Sequence, residues 1–151
     1  MRKKFGLAGA PGHDVPEVDG GAAYVFWHDG VDWSEQAKIP DPLPNDQLRF
    51  GTSVSISGEV AGIGRFEAYP GWIFRRNGAV WSQEGIMFPS EEFAFSDLPR
   101  SLAIRGNVGV IAALPNPIGP IPPPDDLGSA TVFRYDGASW AEEAILAGCR
   151  T

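Results

Sequence analysis

The chain has 151 residues, with 12 Lys and Arg against 19 Asp and Glu, and a formal net charge of −7. This acidic balance argues against binding to the phosphate backbone of a nucleic acid, and no apolar run approaches the ~18–20 residues that span a bilayer. The 19 Gly and 14 Pro predict many turns and no long helix, and the single cysteine, Cys149, excludes an internal disulfide.

The first residues, Met1 to Lys4, are basic, as in the n-region of a secretory signal. The stretch that follows, Phe5 to Pro11, is too short and too rich in Gly for the apolar region of such a signal, which has about 7–15 residues. We therefore expect no signal peptide and assign residues 5–11 to the first strand of the fold.

Three later segments of the chain align without gaps, beginning at Gly21, Gly71 and Gly128. Each carries a Phe, then an Asp-Gly or Asn-Gly pair, then a Trp, and the three Phe residues at 26, 74 and 133 are 48 and 59 residues apart. The matched positions are Phe26, Phe74 and Phe133, then Gly30, Gly78 and Gly137, then Trp33, Trp81 and Trp140. Such self-similarity is typical of a repeat architecture.

Each segment predicts a β-hairpin. Asp-Gly and Asn-Gly pairs favour a two-residue type I′ turn, because both of its central residues need positive φ. With Asp29-Gly30 as the loop, Phe26 lies opposite Trp33 across the two strands. The same spacing pairs Phe74 with Trp81 and Phe133 with Trp140.

A second element precedes two of the hairpins. Residues 50–64 alternate apolar and polar side chains around Ser57-Gly58, and residues 98–112 match them 48 positions later. Each stretch predicts two short strands joined by a tight turn. Before the first hairpin only residues 5–11 match, so we predict one repeat domain over 1–151 with three, four and four strands, in units of approximately 1–45, 46–93 and 94–151.

These residues resemble the FG-GAP repeat, which builds the β-propellers of integrin α-subunits and of many bacterial surface proteins. Phe50-Gly51 matches the first element of that repeat and Gly9-Ala10-Pro11 the second. Gly21 to Phe26 and Gly128 to Phe133 match its third element, the hairpin strand. The resemblance implies an all-β fold of four-stranded antiparallel blades, about three here with the first incomplete, and it favours an extracellular or cell-envelope setting.

Members of that family often hold calcium in the loop after Gly-Ala-Pro. In this chain the loop is residues 12–20, and its oxygen ligands are Asp14, Glu17 and Asp19. They do not alternate along the chain as the family pattern requires, and calcium takes 6–8 oxygens. We therefore predict no resident cofactor and keep these three carboxylates as weak candidate calcium ligands.

The candidates for catalysis have simpler structural explanations. His28 adjoins Asp29, but Arg76 and Tyr135 occupy the matched position in the other units, and turn geometry accounts for Asp29. Ser53, Ser55 and Ser57 alternate along a strand and lie on no Gly-x-Ser-x-Gly elbow. Cys149 has no nearby base in the sequence. We predict no catalytic residues.

Polar residues that recur after each Trp predict a solvated strand face rather than a pair of catalytic carboxylates. These residues are Glu35, Gln36, Gln83, Glu84, Glu142 and Glu143. A basic cluster of Arg65, Arg75 and Arg76 near Trp72 could receive a carboxylate or a sugar, but scattered surface arginines are the simpler expectation.

The number of units shapes the expected function. Propellers close with roughly 4–8 blades, so this chain is a piece of a longer propeller, a ring with other copies of itself such as a six-bladed dimer, or an open β-domain. We expect a non-enzymatic binding or adhesion module that presents loops to a protein or glycan. The alternatives are a structural or oligomerising unit that completes a larger propeller and, less in keeping with the sequence, a carbohydrate-active enzyme.

Overall fold

A computed structural model of the chain describes residues 4–13, 20–43, 48–66, 70–90, 97–115 and 128–147. These residues form eleven β-strands and no helix. The strands are β1 (Lys4–Ala10), β2 (Ala22–His28), β3 (Trp33–Pro40), β4 (Ser53–Ser57), β5 (Val60–Gly64), β6 (Gly71–Asn77), β7 (Val80–Met87), β8 (Asp97–Arg105), β9 (Val108–Pro115), β10 (Ser129–Tyr135) and β11 (Trp140–Ala147).

The strands make three antiparallel sheets in which each strand pairs with its neighbour in sequence. Sheet 1 contains β1 to β3, sheet 2 contains β4 to β7, and sheet 3 contains β8 to β11. The predicted all-β class and the predicted count of three, four and four strands are confirmed. The turns at Gly58 and at the matched Gly106 join the expected strands, β4 to β5 and β8 to β9, but the first loop is Gly58-Glu59 rather than the predicted Ser57-Gly58, because Ser57 pairs with Val60.

The predicted pairing of Phe with Trp in the hairpins is wrong. Each Trp lies opposite the residue two positions after the Phe, which is His28 for Trp33, Arg76 for Trp81 and Tyr135 for Trp140. Because side chains alternate with a period of two, this shift leaves Phe and Trp on the same face of the sheet. The aromatic residues therefore form diagonal neighbours rather than direct cross-strand pairs.

The turns explain this change of register. Asn77 pairs with Val80, so the two-residue loop is Gly78-Ala79 rather than Asn77-Gly78. Gly78 has a φ of 64° and Ala79 has no positive φ. A positive φ at the first central residue alone is the φ pattern of a type II′ turn, for which Gly is the preferred residue.

The other two hairpins have four-residue loops built around an aspartate. In the first, Asp29 Oδ1 accepts hydrogen bonds from the backbone N–H groups of Val31 at 2.7 Å and Asp32 at 2.9 Å. Asp136 Oδ1 makes the same contacts with Ala138 and Ser139 in the third hairpin, both at 2.8 Å. An aspartate that caps its own turn in this way stabilises the wider loop.

Sheet 2 lies between the other two sheets and is covered on both faces. Trp72 and Phe74 on β6 belong to an apolar core shared with sheet 1, whereas Ile73, between them in sequence, belongs to a second core shared with sheet 3. All five residues of β5 are buried. Burial on both faces explains why the alternating pattern is lost in this strand.

The Phe-Gly and Gly-Ala-Pro segments meet at the junction of sheets 1 and 2. Phe50 is fully buried there and contacts Phe74 edge-to-face, with ring centroids 6.4 Å apart. Gly9 lies against the backbone of Gly51, and a Cβ on Gly9 would stand 1.8 Å from the Gly51 carbonyl oxygen. Only glycine allows two chain segments to approach this closely.

Candidate functional site

The two faces of each sheet differ in character. We call the face that carries Phe26, Phe74 or Phe133 the aromatic face, and the face that carries Val25, Ile73 or Val132 the aliphatic face. The aromatic face of sheet 2 packs on the aliphatic face of sheet 1, and the aromatic face of sheet 3 packs on the aliphatic face of sheet 2. The sheets are therefore stacked in a single direction, and this stacking repeats.

A tryptophan hydrogen bond recurs at both junctions. Trp81 Nε1 donates to Gln36 Oε1 of sheet 1 at 2.9 Å, and Trp140 Nε1 donates to Glu84 Oε2 of sheet 2 at 3.0 Å. Gln36 and Glu84 hold matched positions in the repeat, as do the two tryptophans. The same donor and the same acceptor position thus join each sheet to the preceding one.

Arg75 completes the polar contact between sheets 2 and 3. Its guanidinium forms an ion pair with Glu84 and lies 5.0 Å from the centre of the Tyr135 ring. Burial by itself would raise the pKa of Glu84, but the hydrogen bonds from Arg75 and Trp140 outweigh it and lower that pKa. The carboxylate is consequently held in its charged, accepting form.

The same ion pair stands on the outer, aliphatic face of sheet 3. Arg134 Nε donates to Glu143 Oε1 at 2.8 Å, and these residues match Arg75 and Glu84 at a spacing of 59. Both side chains are exposed to about half their area, at 49% and 43%. In sheet 2 this arrangement receives the Trp and Tyr of the following sheet.

Three serine hydroxyls on β4 join the strands that begin sheets 2 and 3. Ser53, Ser55 and Ser57 Oγ accept hydrogen bonds from alternate backbone N–H groups along β8 and the turn that follows it, each at 2.9 Å. The donors are Leu102, Ile104 and Gly106. We call this set the serine ladder, and it satisfies N–H groups on the edge of β8 that faces away from β9. The alternating serines were visible in the sequence, but their partner lies about 49 residues away.

The outermost faces of the stack expose residues that are buried at the internal junctions. Trp33 on sheet 1 is 54% exposed, whereas the matched Trp140 is 9% exposed. Leu146 on sheet 3 is 58% exposed, whereas the matched Met87 is fully buried. Beside Trp33 lies an open, mainly apolar depression of about 260 Å³ that is lined by Gly6, Leu7, Ala8, Phe26 and Trp33.

The proposed acidic ligands of calcium, Asp14, Glu17 and Asp19, lie outside the described residues. Within the described part of the chain, no group of three or more His, Cys, Asp or Glu is arranged to hold a metal ion. Cys149 also lies outside the described residues. His28 contacts the Trp33 ring at 5.0 Å between centroids, and its Nδ1 lies 3.1 Å from the Gly30 backbone nitrogen.

Two of our expectations for surface polar residues are wrong. Glu35, Gln83 and Glu142 are exposed as expected, but Gln36 and Glu84 are half-buried acceptors between sheets. Interior acceptors resemble solvated residues in sequence, because the strand pattern does not show which neighbour will cover them.

The arginines are also not scattered on the surface. Arg65 is buried, and it bonds Asp41 through Nε at 2.8 Å. Arg76 bonds Glu59 at 2.5 Å and lies 4.6 Å from the centre of the Phe5 ring in sheet 1. The three arginines of the predicted cluster therefore connect segments of the chain rather than present a basic surface.

Comparison with known proteins adds no assignment: a scan against family models and a search of curated proteins found no match. Among the described residues, no helix is long and apolar enough to cross a membrane.

Proposed function

We propose that the chain is a set of consecutive blades of a β-propeller and acts as a non-enzymatic binding module. The observation that carries this proposal is the recurrence of one stacking contact, from Trp81 to Gln36 and from Trp140 to Glu84, at matched positions. Sheets that stack in one direction with a repeated contact are the building plan of a propeller, in which each blade packs on the preceding one.

The junction of Phe50-Gly51 with Gly9 supports the same proposal. The FG-GAP repeat takes its name from these two motifs, Phe-Gly and Gly-Ala-Pro. In this chain the two motifs belong to consecutive units, and their backbones are in direct contact. Contact between units explains why these residue types occur in the motifs. The glycines allow the two backbones to approach closely, and Phe50 fills the core between two sheets.

The arrangement of the connections between strands supports a binding role. In an antiparallel meander, successive connections alternate between the two ends of the sheet. The connections from β1 to β2, from β5 to β6 and from β9 to β10 therefore lie at one end, and they differ in length between units. Loops on a rigid scaffold are the usual carriers of recognition, so we place a protein or glycan partner at this end.

A screen of the intact chain against a glycan and oligosaccharide panel tests this function, with both binding and product formation recorded. The proposal expects saturable binding to a defined ligand without turnover. A variant in which a Gly-Ser linker replaces residues 116–127 serves as the loop control and should lose or weaken that binding. Product formation from any oligosaccharide would instead favour the carbohydrate-active enzyme, and no saturable binding would overturn the glycan-binding form of the proposal.

A second candidate function is an oligomerising unit that completes a larger propeller. The observation that favours it is the exposure of Trp33 and Leu146, because the matched Trp140 and Met87 are buried between sheets 2 and 3. Exposed apolar patches of this kind commonly mark protein–protein contacts.

A further inference from the structure

We propose that the aromatic face of sheet 1 docks on the aliphatic face of sheet 3 in a second copy of this chain, and that two such contacts close a six-bladed ring. The proposal rests on the blade stacking argued above and names the partner of the two open faces. Each face carries one half of the junction that sheets 2 and 3 already form.

The two open faces carry apolar residues at matched positions of the repeat. Trp33 stands where Trp140 packs into the core between sheets 2 and 3, and Phe26 stands where Phe133 does. On the opposite side, Leu146 stands where Met87 is covered by sheet 3. The residues exposed at the two ends of the stack are thus the same positions that complement one another inside it.

Arg134 and Glu143 carry the polar part of the junction. In sheet 2 the matched Glu84 accepts the indole N–H of Trp140, and the matched Arg75 stacks against Tyr135. Arg134 and Glu143 are already paired in the same way, which leaves the Glu143 carboxylate set to accept the Trp33 indole N–H of the second copy. The matched partner of Tyr135 on sheet 1 is His28, which already packs beside Trp33.

The serine ladder favours a second copy over an additional four-stranded sheet. A four-stranded sheet docking on sheet 3 would bring a first strand whose N–H groups need a ladder, as β8 does from β4. On β8 the matched positions are Ser101, Ala103 and Arg105, so two of the three hydroxyls are missing. In the part of the chain that the structure describes, sheet 1 consists of β1 to β3, so docking this sheet brings no strand matched to β8 that needs a ladder.

The number of copies follows from closure. A head-to-tail contact between unlike faces forms a ring when its rotation closes and a filament when it does not. Two copies supply six sheets, within the roughly 4–8 blades that propellers use, whereas three copies would exceed this range.

Sedimentation equilibrium and light scattering of the intact chain, from low to high micromolar concentrations, test the proposal. The expected result is a dimer that both Trp33→Glu and Leu146→Glu convert to a monomer. Val80→Glu adds the same charge at an exposed position on the tip of the central sheet and should leave the dimer intact. An equimolar mixture of the Trp33→Glu and Leu146→Glu chains should re-form dimers, because one junction in that pair is unaltered.

Several outcomes would overturn the proposal. A monomeric wild-type chain at all concentrations rules out the ring, and a dimer that survives Leu146→Glu indicates that two aromatic faces pack together instead. Near-ultraviolet circular dichroism of each variant shows whether it remains folded. Should one fail to fold, Trp33→Phe keeps an aromatic ring but removes the indole N–H and part of the apolar contact, and it should weaken dimerisation by at least about fivefold per junction, the value of one ordinary hydrogen bond.

The failure of this inference can be told apart from failure of blade stacking. Trp140→Glu alters the internal junction of sheets 2 and 3 within one chain. If the wild-type chain is monomeric and Trp140→Glu strongly destabilises it, the stacking of sheets within one chain is supported and only the contact with a second copy is ruled out.

Discussion

Trp140 and Glu84 are 56 residues apart in the chain and are joined by a 3.0 Å hydrogen bond between indole and carboxylate. The bond links sheet 3 to sheet 2 and is matched by that between Trp81 and Gln36 at the preceding junction. Because an unsatisfied buried indole N–H is costly, this contact specifies which sheet faces stack.

We predict an energetic coupling between Trp140 and Glu84. A double-mutant cycle of Trp140→Phe and Glu84→Ala, measured by urea unfolding, should give a coupling free energy of about 0.5–1.5 kcal/mol, since alanine leaves the indole N–H no acceptor at this position. The control cycle combines Glu84→Ala with Trp33→Phe on the far face of sheet 1 and should be additive within ~0.5 kcal/mol. Equal coupling in both cycles would show that the hydrogen bond has no specific role.

The aspartate-capped hairpin loops predict a loss of stability in acid. The pKa of Asp29 is lowered chiefly by the Asp32 N–H and then by that of Val31, and the pKa of Asp136 is lowered chiefly by Ser139 and then by Ala138. A carboxyl whose folded pKa is depressed stabilises the fold above its unfolded value of 3.8, and this contribution is lost as the pH falls through the folded pKa.

The test of these caps is thermal unfolding between neutral pH and about pH 2. The variant Asp29→Asn/Asp136→Asn keeps an accepting oxygen and should therefore remain folded at neutral pH, with a smaller fall in melting temperature below about pH 4. Asp32→Asn, in the same loop as Asp29, is the control for simple loss of charge. A double variant whose acid profile matches that of the wild type would contradict the prediction.

The serine ladder predicts that backbone groups of β8 depend on side chains of β4. Ser55→Ala removes the acceptor of the Ile104 N–H, and an unsatisfied, partly buried donor costs about 1–3 kcal/mol. Amide hydrogen exchange should accelerate at Ile104 more than at Val110 on the far side of the β8–β9 pair. Ser34→Ala on exposed β3 is the matched control, and unchanged exchange at Ile104 would argue against the ladder.

Because Gly9 contacts Gly51, we predict that alanine costs much more stability at Gly9 than at Gly6 on the same strand. Gly9→Ala would place its Cβ 1.8 Å from a backbone oxygen, whereas Gly6→Ala would meet a Trp33 ring carbon at 3.4 Å. We expect Gly9→Ala to destabilise the chain by at least about 1–3 kcal/mol and Gly6→Ala to have little effect in denaturant unfolding. Similar losses in both would mean that the close approach does not restrict this position.

Much of the local structure could be predicted because its causes are local. Alternation of apolar residues identified most of the strands, and glycine with Asp or Asn marked the three repeated hairpin turns. The type of turn could not be predicted reliably from the sequence. Asn77-Gly78 favoured a type I′ loop, but the chain turns at Gly78-Ala79. A shift of two residues keeps each side chain on its face, so the hydrophobic pattern alone does not distinguish the two registers.

The repeated unit, its strand count and the matched positions of Phe, Gly and Trp can be derived from the amino-acid sequence, because strand periodicity and turn chemistry act over a few residues. The contacts that each unit makes with the next became apparent only in the folded chain. Gln36, Glu84, Arg75 and the serines of β4 have the composition of a solvated surface, and they became junction residues because stacking placed specific donors opposite them. Contacts between residues about 50 positions apart depend on how whole sheets pack, and no local pattern encodes that packing.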